Sequence, residues 1–144
     1  MSYVKIWIHA VWSTRNRKPL LTREVREQLY SPITSNTRDK GIYIDSIGGI
    51  ADHVHCLFSL DSDLSVAKAM QLIKGESAYW INKTKLVRSR FSWAKEYFAS
   101  SVSESVLDKV RSYIRNQELH HKEITFKEEY DLLIEKSGLL LKEG

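Results

Sequence analysis

The sequence of 144 residues contains one cysteine, two prolines and no long hydrophobic run. A single cysteine excludes an internal disulfide and is typical of proteins in a reducing compartment. Since no apolar segment approaches the roughly 18 residues of a membrane-spanning helix, we expect no membrane partner. The first residues enter a strand pattern directly, without a basic segment followed by an apolar one, so we expect no signal peptide.

The composition indicates an ordinary globular protein. Hydrophobic residues make up 42% of the chain and charged residues 28%, as is usual for folded domains. We therefore expect residues 1–144 to form a single domain, with the charged stretch from about residue 123 as a docking arm. The net charge of +4 permits an anionic partner such as nucleic acid but does not require one.

Hydrophobic periodicity predicts the order β-α-β-β-α-β, followed by further helices. The predicted strands are 3–14, 42–47, 51–60 and 95–102. Gly48-Gly49 is the expected turn of the hairpin between the second and third strands. Two β-α-β halves joined by a hairpin form an antiparallel sheet with helices on one face. We therefore predict an α+β protein with a ferredoxin-like fold.

Capping and breaking residues predict where the helices begin and end. Thr22 should cap the first helix, which Pro32 should kink or interrupt and Gly41 should end. The second helix should cover about 64–86, and the third should run from the fourth strand to about residue 122. Thr125 should begin a last helix that ends near residue 138.

The most informative segment is the predicted strand that contains His53-Val54-His55. Since side chains alternate along a strand, both histidines point to one face and Cys56 points to the other. Two imidazoles on one face of a core strand are costly unless something binds them, and the usual ligand is a metal ion. Two residues are a weak motif, so the alternative is one packed core histidine and one bonded to a loop.

The predicted third helix carries a second candidate group. Val106, Val110, Tyr113 and Gln117 recur at spacings of four, three and four, so they lie on one stripe of the helix. We expect Tyr113 and Gln117 to face the histidines. The alternative is a boundary tyrosine whose hydroxyl lies in water.

These segments together resemble the single-tyrosine HUH transposases, the small transposases of insertion sequences that move as single-stranded DNA. The resemblance rests on His53-Val54-His55 followed by Tyr113-Ile-Arg-Asn-Gln117. It extends over nearly the whole chain, and includes His9-Ala-Val-Trp12, Arg15-Asn-Arg17, Leu72-Ile-Lys-Gly75 and Trp93 through Phe98.

The resemblance implies a site and a reaction. His53, His55 and Gln117 would bind a divalent metal, Mg²⁺ or Mn²⁺, and Tyr113 would be the nucleophile. The implied reaction is cleavage and rejoining of single-stranded DNA by transesterification, through a 5′-phosphotyrosine intermediate. Because all three implied ligands are neutral, the ion would keep its full charge towards the phosphate.

The resemblance also implies partners. It suggests a homodimer acting on hairpin-forming DNA ends, in the prokaryotic cytoplasm in association with the nucleoid, and leaves open whether Tyr113 serves its own subunit's histidines or the partner's. The candidate DNA contacts are the basic residues Arg15, Arg17, Lys18 and Lys74. Each of them could instead be a solvated surface residue. His120 and His121 are expected at a solvated helix end.

Other functions remain open on this sequence. The main alternative is a non-catalytic or domesticated RRM-like protein that binds single-stranded nucleic acid on the same fold, although the expected aromatic pairs on the central strands are not evident. A histidine-triad hydrolase would need a histidine where Leu57 stands. A structural zinc site would usually use cysteines.

Overall fold

The computed structural model describes residues 2–137, which form one four-stranded sheet and five helices. The strands are β1 (Trp7–Ser13), β2 (Ile42–Ile50), β3 (His53–Leu60) and β4 (Phe98–Val102). The helices are α1 (Arg23–Arg38), α2 (Val66–Thr84), α3 (Leu107–Arg115), α4 (Gln117–His120) and α5 (Phe126–Lys136). Short 3-10 turns occur at Arg15–Arg17 and Glu104–Val106. Among these helices, none is long and apolar enough to cross a bilayer.

The strand order is β2-β3-β1-β4, and every neighbouring pair is antiparallel. This order, with helices between β1 and β2 and between β3 and β4, confirms the α+β class and the ferredoxin-like plan. The register places Val11 opposite His55 on one side and opposite Phe98 on the other. The central strands β1 and β3 therefore carry the residues at the middle of both faces.

One face of the sheet packs against α1 and α2. Its side chains include Ala10, Trp12, Val54 and Cys56, all fully buried in the main hydrophobic core. The Thr22 hydroxyl caps α1 by accepting from the Val25 amide. Helix α1 runs through Pro32 without interruption, so of the predicted kink or interruption the interruption was wrong.

The opposite face carries His9, His53 and His55, and we call it the histidine face. Leu57 on this face packs against Leu107 and Ile114 of α3. Further along the face, Val11 and Phe98 pack against Phe126 at the start of α5. The helices that follow β4 thus cover the histidines, and burial of these apolar side chains holds α3 and α5 in place.

The predicted hairpin turn at Gly48-Gly49 was wrong. Both glycines lie within β2, and the turn falls at Ala51-Asp52. A Cβ at Gly48 would lie 2.5 Å from the carbonyl oxygen of Ile114, and one at Gly49 would overlap the backbone of His53. These positions are therefore glycine because neighbouring backbone approaches closely, and not because a turn needs them.

The predicted third helix is two helices. Helix α3 ends at Arg115, and Asn116 leaves helical geometry at φ −98° and ψ 23° before the single turn of α4. After α4, Thr125 begins α5 with a capping box. The Thr125 hydroxyl accepts a hydrogen bond from the Glu128 amide, and the Glu128 carboxylate accepts one from the Thr125 amide. The predicted end of this helix near residue 138 lies outside the described residues.

Candidate functional site

The histidine pair of β3 lies at the centre of the site. His53 and His55 are 0% exposed, and their ring centroids are 5.2 Å apart on the histidine face. Nδ1 of His53 lies 2.8 Å from the Oδ1 of Asp52, at the hairpin turn. Since a carboxylate only accepts, Nδ1 carries the proton and Nε2 points into the space beneath α3 and α5.

His9 of β1 orients the second histidine. Its Nε2 lies 2.9 Å from Nδ1 of His55, and the two rings stack with centroids 5.2 Å apart. One proton is shared by this contact. When His9 carries this proton, the Nε2 of His55 is protonated and donates to the Oε1 of Glu129. When His55 carries it at Nδ1, the Nε2 of His55 keeps a lone pair, as does the Nε2 of His53 in its neutral form. This role of His9 was not predictable from the sequence, where His9 is only a residue of the first strand.

The structure brings Tyr113 and Gln117 to the histidines within a single chain. The Oε1 of Gln117 lies 3.1 Å from Nε2 of His53, and the side-chain amide donates to the Tyr113 carbonyl at 3.3 Å. The Tyr113 ring centroid is 5.4 Å from that of His55. The expectation that this stripe faces the histidines is therefore confirmed.

Glu129 of α5 is a central residue of the site that sequence reasoning missed. Its Oε1 lies 3.1 Å from Nε2 of both His53 and His55, and its Oε2 accepts hydrogen bonds from the Tyr113 hydroxyl and, at 3.2 Å, from Gln117. This carboxylate is 1% exposed. One signal was available, because Glu129 follows Phe126 by three positions and therefore shares the apolar stripe of a charged helix.

His121 also belongs to the site, so the expectation of a solvated position was wrong for it. Its side chain is 3% exposed, its Nε2 lies 2.9 Å from Oε1 of Glu129, and its Nδ1 lies 2.9 Å from the Ile124 carbonyl. His120 is more exposed, and its Nε2 is 3.5 Å from the Tyr113 hydroxyl. The end of the short helix α4 therefore directs His120 towards Tyr113 and the following residue, His121, towards Glu129.

Burial and neighbouring charges separate the protonation states of the three β-strand histidines. Desolvation lowers the pKa of His9 to about 3 and that of His55 to about 4, so both are neutral at pH 7. Burial also opposes charge on His53, but hydrogen bonds to Asp52 and Glu129 raise its pKa overall.

The pKa values of the Glu129 carboxylate and the Tyr113 phenol are shifted in opposite directions. Burial opposes charge on Glu129, yet hydrogen bonds from His53 and His55 hold its pKa well below its usual range. Burial raises the pKa of Tyr113, and the hydrogen bond to Glu129 raises it further. The phenol is therefore protonated at neutral pH, with an ionised carboxylate as its acceptor.

The predicted basic contacts lie in two different places. Arg15, Arg17 and Lys18 are exposed, and the Arg17 guanidinium lies 5.5 Å from the ring centroid of Phe126, which in turn stacks on His53 at 4.1 Å. The loop is thus next to the site.

Lys74, in contrast, is not brought to the histidines. It lies on α2, which packs on the opposite face of the sheet. Its ammonium donates to the carbonyl oxygens of Ala94 at 2.7 Å and Lys95 at 3.0 Å.

A cleft of about 340 Å³ opens beside the Tyr113 hydroxyl. His9, Glu129 and Leu133 line its inner wall, and Lys109 of α3 and Lys136 of α5 flank it with exposed ammonium groups. A cleft with a buried carboxylate and phenol at its base and cations at its sides suits an extended polyanion.

Sequence comparison finds relatives of one kind. The family model described as "Transposase IS200 like" matches residues 2–117. The chain is 27% identical over 121 residues to the ISDra2 transposase TnpA of Deinococcus radiodurans, covering 80% of this chain and 84% of that protein. It is 26% identical over 115 residues to the transposase for insertion sequence element IS200 of Salmonella typhimurium, covering 76% and 74%.

Solved structures share the fold. A crystal structure described as a candidate transposase from Deinococcus radiodurans matches with a TM-score of 0.65 and 24% identity, over 81% of this chain and 95% of that chain. A REP-associated tyrosine transposase bound to a REP hairpin matches with a TM-score of 0.61 and 20% identity, over 86% and 73%.

Proposed function

Because this chain belongs to the IS200-like transposases, we propose that it cuts and rejoins single-stranded DNA through a covalent bond to Tyr113. The observation that carries the proposal is the convergence of Tyr113, His53, His55 and Gln117 on one buried carboxylate, Glu129, within a single chain. A tyrosine hydroxyl next to two histidines and an amide is the arrangement that metal-assisted attack on a phosphodiester needs.

The residues present fit a divalent cation. Nε2 of His53 and Oε1 of Gln117 are 3.1 Å apart, and Nε2 of His55 lies on the same side of the sheet. Asp52 and His9 fix the orientation of the two imidazoles, as hydrogen-bond partners of metal-bound histidines generally do. A bound Mg²⁺ or Mn²⁺ would neutralise charge that develops on the scissile phosphate, and the imidazole donors favour Mn²⁺.

Tyr113 performs the attack. Its oxygen bonds to the phosphorus as the bond from phosphorus to the 3′ oxygen breaks, which leaves a 5′-phosphotyrosine and a free 3′-hydroxyl. The phenol loses its proton as it attacks, with the Oε2 of Glu129 already accepting a hydrogen bond from it, and the departing 3′ oxygen takes up one proton to become the hydroxyl. Attack by a 3′-hydroxyl on the phosphotyrosine reverses the exchange and reseals the strand without ATP.

The DNA strand would reach Tyr113 through the cleft between α3 and α5. Lys109 and Lys136 at the cleft and the loop residues Arg15, Arg17 and Lys18 would contact its phosphates. A role for Lys74 in binding phosphate remains a prediction, and it requires the ammonium to leave the carbonyls that it now contacts. The structural relative bound to a REP hairpin supports a hairpin end as the ligand.

The protein is further proposed to be a homodimer in which each subunit uses its own histidines. Light scattering after size exclusion measures the mass. Mixing a Tyr113→Phe subunit with a His53→Ala subunit then tests the pairing. If each site is built from one chain, the mixture should form no more adduct than either variant forms alone. If the mixture regains adduct formation, the site is shared between subunits.

The proposed reaction is tested by trapping its intermediate. Labelled single-stranded DNA that carries the sequences flanking the gene is incubated with the protein and Mn²⁺, and denaturing electrophoresis should resolve a covalent protein–DNA band. Tyr113→Phe should abolish the band and retain DNA binding in a gel-shift assay. Tyr79→Phe is the matched control, because this tyrosine is 65% exposed on α2, which packs on the other face of the sheet.

Two results would contradict the proposal. An adduct formed by Tyr113→Phe would show that another residue is the nucleophile. DNA binding by the wild-type protein with no adduct under any divalent metal would instead support the alternative, a non-catalytic single-strand-binding protein on the same fold.

A further inference from the structure

The geometry points to Glu129 as a fourth protein ligand of the divalent ion, supplied by α5 to the site that His53, His55 and Gln117 form. This inference rests on the proposed function and changes its ligand set from three neutral residues to three neutral residues and one carboxylate.

The first argument is position. The Oε1 of Glu129 is 3.1 Å from the Nε2 of His53 and 3.1 Å from the Nε2 of His55, and the donor atoms of these three residues all lie within 4.8 Å of one another. A carboxylate that is 1% exposed is costly unless it is paired with positive charge. A cation among these atoms would supply that charge.

The second argument concerns protons. Asp52 requires the proton of His53 on Nδ1, and the Ile124 carbonyl requires the proton of His121 on Nδ1. In the neutral imidazoles, both Nε2 atoms then present lone pairs, yet both lie within 3.1 Å of the same carboxylate oxygen. Acceptors that face one another are stable only with a proton or a metal ion between them, and a metal ion satisfies several of them at once.

The third argument is rigidity. Glu129 lies in the first turn of α5, which the Thr125 capping box fixes. Phe126 stacks on His53 with ring centroids 4.1 Å apart and packs against Val11 and Phe98. The carboxylate is therefore held by a helix that is docked on the sheet, and not by a mobile surface side chain.

A carboxylate ligand alters the chemistry of the site. It lowers the formal charge of the ion and its ligands from +2 to +1, and two histidines with one carboxylate are typical ligands of Mn²⁺ and Fe²⁺ rather than Mg²⁺. With four protein ligands, the ion would still have positions open for phosphate oxygens. The other carboxylate oxygen holds the Tyr113 hydroxyl, so Glu129 would fix the nucleophile relative to the ion.

Mn²⁺ binding tests the inference without DNA. Free Mn²⁺ is measured by electron paramagnetic resonance during titration of the protein. Glu129→Gln should weaken Mn²⁺ binding by about tenfold or more, since it replaces a charged ligand with a neutral side chain of similar size. Glu135→Gln on the exposed side of the same helix is the matched control and should bind as the wild-type protein does.

Two further measurements separate a ligand from a structural role. The rise in melting temperature on adding Mn²⁺ should be large for the wild type and Glu135→Gln and small for Glu129→Gln. Glu129→Asp, which keeps the charge, should bind Mn²⁺ more tightly than Glu129→Gln. Equal Mn²⁺ affinity in the wild type, Glu129→Gln and Glu129→Asp would overturn the inference. If one of the two variants folds poorly, wild-type Mn²⁺ affinity in the other overturns it.

The outcome is distinct from a failure of the proposed function. If the wild type forms the covalent adduct and Glu129→Gln binds Mn²⁺ normally, Glu129 is not a ligand and the transposase reaction stands. If the wild type neither binds Mn²⁺ nor forms an adduct, the proposed function itself fails.

Discussion

Nε2 of His9 lies 2.9 Å from Nδ1 of His55, although the two residues are 46 positions apart in the chain. The antiparallel pairing of β1 with β3 creates this contact, because it places Val11 opposite His55 and leaves His9 diagonal to it on the same face. With the contact between Asp52 and His53, it gives each β3 histidine a partner at Nδ1. Both Nε2 atoms are thereby directed at the same buried carboxylate.

Replacing His9 should therefore weaken metal binding without removing a ligand. In His9→Phe, the buried Nδ1 of His55 loses its partner and the ring is free to reorient, so Mn²⁺ affinity should fall by about 10- to 100-fold. His9→Gln keeps a polar partner and should lose less. The measurement is an Mn²⁺ titration, and wild-type affinity in His9→Phe would show that packing alone orients His55.

Asp52 should have the corresponding effect on His53. Asp52→Asn removes the carboxylate that holds Nδ1 at 2.8 Å, so the Mn²⁺ dissociation constant should rise by about tenfold. Asp63→Asn, an exposed aspartate beyond the end of β3, is the control and should be neutral. If both variants bind Mn²⁺ equally well, the Asp52 contact does not support the site.

Two parts of the site were predictable because each depends on local periodicity. Alternation along a strand put His53 and His55 on one face whatever the rest of the fold, and a separation of four residues put Tyr113 and Gln117 on one side of the chain. The second of these predictions was correct in spite of the break at Asn116, because the chain resumes helical geometry at Gln117.

The remaining parts depend on contacts between distant segments. Glu129 looks like a solvated residue of a charged helix until α5 docks on the sheet, and His9 gains its role only from the register of β1 with β3. Gly48-Gly49 was misinterpreted for the same reason. Two glycines are a normal turn signal, and their place inside a strand is explained only by contacts with the backbone of other elements, that of Ile114 in α3 at Gly48 and that of His53 in β3 at Gly49.

The close approach at Gly48 makes a stability prediction. A Cβ there would lie 2.5 Å from the Ile114 carbonyl oxygen, a backbone atom that cannot rotate away. Gly48→Ala should therefore destabilise the protein by about 1–3 kcal/mol, as overpacking usually does. The shift in melting temperature should be roughly 2–4 °C per kcal/mol in a domain of this size, measured by circular dichroism.

Gly75 provides the opposite case. It lies inside α2, and a Cβ there would meet nothing within 4 Å. Gly75→Ala should stabilise the protein by about 0.5–1 kcal/mol, because alanine restricts the unfolded chain and favours the helix. Similar melting temperatures for the Gly48 and Gly75 variants would contradict the contact between α3 and β2.

The stability of the protein should also depend on pH through one ion pair between α3 and β2. Arg111, two residues before Tyr113, donates to both carboxylate oxygens of Asp45 on β2 at 2.9 Å. This hydrogen bonding lowers the pKa of Asp45 from its ordinary value of 3.8. A carboxyl group with a lowered pKa in the folded state stabilises that state above its ordinary pKa, and the contribution is lost as the pH falls through the folded pKa.

Asp45→Asn should therefore reduce stability at pH 7 but not in strong acid. Both side chains are partly exposed, so solvent screens the pair and the expected loss is only about 0.2–1 kcal/mol at pH 7. Urea unfolding of wild type and variant at a series of pH values measures the difference, which should shrink as the pH falls below 3.8. Asp108→Asn removes the other, 96% exposed partner of Arg111 and should have a smaller effect. A difference that stays constant from pH 7 to pH 2 would mean that Asp45 stabilises the contact by packing and not by its charge.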